Sequence, residues 1–190
     1  MPSDYREQYE RLRRWYAKLA KLHGGREHDV ASDNYVDEIY AFFMNCYHLK
    51  DWIRKDAAVP AAVRDAVEDY IDANRALRLC ADICNSLKHV TLTKPRSGES
   101  PSFGRKRYRF ALGSGAPRIG LTYEIDASGG KTDAFTLAGE CIAAWDAFLA
   151  LHGLSDPAPV VGPLSRRKPW LVCLMGVRRE RRTLKLDPPA

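Results

Sequence analysis

The residues best placed to do chemistry are His89, Asn85, Asp82 and Asp51. On a helix at about 100° per residue, Asp82, Asn85, Ser86 and His89 follow one another at spacings of three and four and share a side. Arg75 and Arg78 fall on that side further down, while Ala76, Leu77, Cys80, Ile83, Cys84 and Leu87 fall on the other. An imidazole titrating near neutrality can give and take a proton, and an acid or amide one turn away can fix its tautomer. The bland alternative is a polar helix end, with His89 near the C-terminus where positive charge is favoured. Lys88 lies off the stripe and complements the same dipole.

A second polar edge comes from residues 35–55. Ile39, Phe42, Phe43, Cys46, Leu49 and Ile53 make an apolar stripe there; Tyr47, His48, Asp51, Arg54 and Lys55 lie opposite. If the two helices pack antiparallel, each presents a polar edge to a shared groove. Asp51, His48 and Arg54 would then face the His89 stripe. The alternative for Asp51 is an ordinary surface pair with Arg54 or Lys55.

The elements that must position these groups follow from periodicity and punctuation. A first helix is expected from Pro2-Ser3-Asp4 to His23, stopped by Gly24-Gly25, with a basic outer face read as solvated. Residues 26–31 read as a polar linker. Ser32 or Asp33 caps a second helix ending near Asp56, Pro60 opens a third, and Asn74 breaks it from a fourth running to His89. After a Pro/Ser/Gly-rich loop at 94–102, two alternating runs flank Gly113-Ser114-Gly115 and predict a hairpin over about 103–127. On its outer face Arg105, Arg107 and Arg109 oppose Glu124 and Asp126. A fifth helix, from about Asp133 to Leu151, is expected to cover its apolar face. The fold class is thus α+β, mainly α: a bundle of four helices with a β-hairpin and a fifth covering helix. Residues 1–154 form the domain; 155–190 are a Pro-rich and basic tail.

Composition narrows the function classes. The chain has 190 residues, 45% of them hydrophobic, enough for a real core. No run approaches a membrane span and the N-terminus lacks a signal-peptide core, so a cytoplasmic location is expected. The net charge of +6 is matched by the surplus of the stretch from Arg166 to Ala190 alone, where eight Lys/Arg face Glu180 and Asp187. The folded body is therefore near neutral, and overall basicity gives it no nucleic-acid footprint. Five cysteines on mostly apolar faces read as reduced core thiols. No paired metal-ligand motif, phosphate loop or nucleophile elbow is found, so neither a metal nor a cofactor is expected.

Residues 33–92, with Asn85 and His89 late in a helix and Asp51 on an earlier one, resemble the HEPN superfamily. That family comprises helical bundles of prokaryotic toxin, antitoxin and phage-defence systems. The resemblance implies metal-independent RNA cleavage at a dimer interface, with His as acid/base and an Arg stabilising phosphate charge. The Arg that precedes the Asn in active members is Cys84 here, and Arg78 is the candidate substitute. Catalysis would rest on His89, Asn85, Asp51 and Asp82; RNA or a nucleotide would contact Arg78, Lys88, His48 and Arg54. A non-catalytic module binding RNA, a partner protein or a second copy fits the same residues.

Overall fold

The computed structural model describes residues 4–88, 94–113 and 115–154. His89 and the tail from 155 onward lie outside them. Among the described residues there are five helices: α1 (Tyr5–Gly24), α2 (Ser32–Lys55), α3 (Ala61–Ala73), α4 (Arg75–Lys88) and α5 (Ala134–Leu151). A small antiparallel sheet adds β1 (Arg26–Glu27), β2 (Ser102–Ala111), β3 (Arg118–Ala127) and β4 (Gly130–Asp133). The fold is α+β and mainly α.

Local chemistry sets the boundaries. The Asp4 carboxylate accepts from the Arg6 amide at 2.9 Å and starts α1; Gly25, at φ +90°, ends it in a conformation that glycine adopts cheaply. Asn74 accepts from the Leu77 amide through its side chain at 3.2 Å, so the break before α4 is also that helix's cap. Asp133 caps α5 by accepting from Phe135 N (3.2 Å) and ties it to the sheet by accepting from Tyr123 N (3.0 Å). The expected cap of α2 by Ser32 or Asp33 is not formed. Both residues are already helical, and Ala31 precedes them with no side-chain cap.

Burial follows the stripes. Phe42, Phe43, Trp145, Phe148, Leu12, Leu49 and Ile53 fill the centre. Helix α5 has the length and hydropathy of a membrane span, yet nine of its residues are buried. Its Tyr-facing side meets α1, where Tyr16 stacks on Phe135 at 5.4 Å and Tyr9 donates to Asp146. It is the core helix of a small globular fold.

The sheet is larger than the expected hairpin. Residues 26–27 pair with β3 and residues 130–133 return along it, giving the order β1-β3-β2 with β4 also on β3. Ile119, Leu121, Tyr123 and Ile125 of β3 are buried, with α1, α2 and α5 all packed near them. Cover does not extend to the far end of β2: Phe110 and Leu112 are 62% and 84% exposed. Between Phe103 and Lys106 a bulge shifts the register. Gly104 lies in it against Asp126, whose carboxylate oxygen would stand 2.6 Å from a Cβ there.

Candidate functional site

Helices α2 and α4 do pack together, but in the same direction. The Cys80 thiol reaches the Phe43 carbonyl at 3.5 Å, and one turn on Cys84 lies in the electrostatic field of Lys50 and Asp51. The antiparallel arrangement considered from the sequence is not the one found: residues 43 and 50–51 of α2 lie along residues 80 and 84 of α4 in the same order. Their C-terminal turns end side by side. That brings Asp51 near the Cys84–Lys88 turn, where Lys88 also acts on the Cys84 thiol.

The polar stripe of α4 divides into two parts. Asn85 and Ser86 are half-buried and Lys88 is exposed at the open end. Ser86 Oγ donates to Ile83 O at 2.8 Å, a local bond inside its own helix. Asp82 is different. It is 1% exposed and accepts from the backbone amides of Arg96 (2.6 Å) and Ser97 (2.7 Å). Its carboxylate anchors the 94–98 loop, and the expectation that it lines a water-accessible groove is corrected. Periodicity put it on the polar side, and the returning loop closed that side.

The cations expected around the stripe are also engaged. Arg54 pairs with Glu68 of α3 at 3.1 Å, whereas Asp51 has Lys50 as its ion-pair neighbour at 3.7 Å. Arg78 Nη1 donates to the Asp72 carbonyl at 2.8 Å, back toward the start of α4, so it does not fill the place of the missing arginine. Position 84 could not hold one cheaply: Cys84 is only 7% exposed, and burial pushes its thiol up to about 11. His48 stands exposed on α2, and Asp51 retains 45% of its side-chain exposure.

Sequence reasoning passed over the strongest electrostatic feature nearby. Glu68 accepts from Lys50 (2.8 Å) and pairs with Arg96 (2.8 Å), and Arg96 Nε donates to Asp72 at 2.6 Å. Burial would push the Glu68 carboxyl up, but hydrogen bonds from Lys50 and Arg96 outweigh it and hold the group below the usual carboxylate range. Asp72 is held low chiefly by Arg96. This network and Asp82 together bind the 94–98 loop across α3 and α4. Nothing in the local pattern around Glu68 separates it from an ordinary wet acid.

Two further surfaces stand apart. A wide cleft of about 470 Å³ between α1 and the N-terminal half of α2 is lined by Trp15, Lys18, Asp37, Glu38, Tyr40 and Met44. The outer face of the hairpin is basic: Arg107 pairs with Glu124 at 2.6 Å, and Arg109 donates to Thr122 Oγ1 and to the His23 carbonyl. On the basic side of α1, Arg11 pairs with Glu7 of the same helix (2.5 Å), Arg13 pairs with Asp146 of α5 (3.2 Å), and Lys18 lies over the Trp15 ring. No protein-family model, no curated protein and no solved structure matches the chain.

Proposed function

We propose that this chain is a HEPN-like helical domain of a prokaryotic defence or toxin–antitoxin type system, acting in the cytoplasm by binding RNA at the joined ends of α2 and α4. The observation that carries this reading is the same-direction pairing of the two helices, which brings Asp51 into the electrostatic field shared by Cys84 and Lys88, near the half-buried Asn85. In sequence, His89 is the residue that follows Lys88.

Binding is favoured over cleavage by what the site lacks. Phosphate charge building up in a transition state needs a preorganised cation. Arg78 is turned away, position 84 holds an inward thiol, and Arg54 is paired with Glu68. Asp82 is committed to the loop. Among the described residues, the exposed Lys88 and Lys55, the Asn85 amide and the His48 imidazole remain, groups suited to holding a phosphate or a base edge.

The test is a titration of the full chain with a mixed single-stranded RNA pool, beside Lys88→Ala and His89→Ala. Each variant should bind about tenfold more weakly. Lys88→Ala should also flatten the dependence of log K on log salt by about 0.7, the value of one single-strand phosphate contact. Equal affinity in all three proteins would contradict the reading. Metal-independent cleavage lost in His89→Ala would replace binding with catalysis.

One observation favours a second reading, a protein-interaction or dimerisation module. The sheet ends on β2, a ten-residue edge strand, and Phe110 near its end and Leu112 just beyond it are left uncovered. An unpaired strand edge that ends in exposed apolar side chains invites a partner there, although the four basic residues along β2 oppose strand addition over the rest of its length.

A further inference from the structure

Three helices that are far apart in sequence each send one cysteine to the same point of the core. Cys46 of α2, Cys80 of α4 and Cys141 of α5 place their sulfurs within 4.8 Å of one another, and all three are buried. Cys84, the other described cysteine, is not part of the cluster.

The surroundings are those of a site waiting for an electron-pair acceptor. Cys80 and Cys141 spend their S–H groups on the helix carbonyls of Phe43 (3.5 Å) and Ala76 (3.4 Å). Those carbonyls lie inside helices and lose little when the thiol protons leave. The indole Nε1–H of Trp145, itself 1% exposed, has no oxygen or nitrogen partner and lies beside Cys46. A buried donor without an acceptor is uncommon, and a metal-bound thiolate would supply one.

We infer that Cys46, Cys80 and Cys141 form a three-thiolate site for a trivalent thiophilic metalloid of the arsenite class. Softness selects a thiophile, and three converging sulfurs without a fourth ligand select three-coordination over the tetrahedral sites of zinc. Charge selects the valence. The buried charged side chains among the described residues are Asp56 and Asp82, both acidic, so the core has no buried cation to offset an anionic complex. Three thiolates on a monovalent or divalent ion would leave buried negative charge; on a trivalent centre they leave none.

The step is a ligand exchange without redox change. Arsenous acid, As(OH)3, meets three Cys–SH groups. Three As–O bonds break, three As–S bonds form, and each thiol proton leaves with a hydroxide as water. Uptake requires transient opening of the helices, because the sulfurs are covered in the closed fold. Binding would then tie α2, α4 and α5 together from inside. The inference is independent of the RNA reading.

The experiment uses the full chain, reduced with a phosphine and incubated with arsenite. Wild type and Cys84→Ala should each take up one arsenic per chain and melt at a higher temperature when loaded. Cys46→Ala, Cys80→Ala and Cys141→Ala should each bind at least tenfold more weakly, with folding checked by circular dichroism. X-ray absorption on the loaded wild type gives a readout that needs no variant, and should show three sulfur neighbours and no oxygen. Undiminished binding in Cys46→Ala, an oxygen in the arsenic shell, or tighter binding of Zn(II) than of arsenite would each overturn the inference.

Discussion

Asp82 shows how a single carboxylate changes meaning between pattern and fold. Its place on the α4 stripe is legible, but the partner that defines it is not. Arg96 and Ser97 lie fourteen and fifteen residues on, and their amides reach it only because the loop folds back. Replacing it with Asn leaves one oxygen and sets an amide N–H against a backbone N–H. Asp82→Asn is expected to lose about 2 kcal/mol of stability in urea unfolding, the worth of one charge-assisted hydrogen bond. RNA affinity per folded molecule should hold. A loss of affinity with stability intact would return Asp82 to the site. The three core cysteines make the same point: each reads correctly as a buried thiol, while their meeting depends on how three helices are assembled.

At the scale of the element, what could be read was what repeats. Apolar stripes at helical spacing located α1 to α5, and alternation located β2 and β3. The two-residue β1 and the four-residue β4 are too short to carry a period, and they exist through pairing with β3. Helix direction is invisible to periodicity, which is why the same-way packing of α2 and α4 had to come from structure. The strap over α3 and α4 yields a pH prediction. Glu68 and Asp72 have folded-state pKa values below the unfolded range of about 4. Their contribution is therefore full above that range and is lost as pH falls through the folded values. Unfolding free energy should drop on going from neutral pH into the acid range, and Arg96→Ala should make that drop shallower. Parallel pH profiles for the two proteins would show that Arg96 does not set these groups.

For the whole molecule, the question is which surface meets other molecules. The body is nearly neutral, and the RNA and dimerisation readings rest on two places: the joined ends of α2 and α4, and the uncovered end of β2. Phe110 contributes little to the core, so Phe110→Asp should change stability by less than about 0.5 kcal/mol. It should nonetheless reduce any self-association seen by analytical ultracentrifugation, which is where the dimerisation reading is exposed to refutation. The RNA reading faces its most direct trial in ultraviolet crosslinking of bound RNA, with the attached peptides mapped by mass spectrometry. Crosslinks should fall on residues 46–55 and 84–89, from both helix ends together. Crosslinks confined to the basic strand 105–112, with the helix ends unmarked, would contradict it.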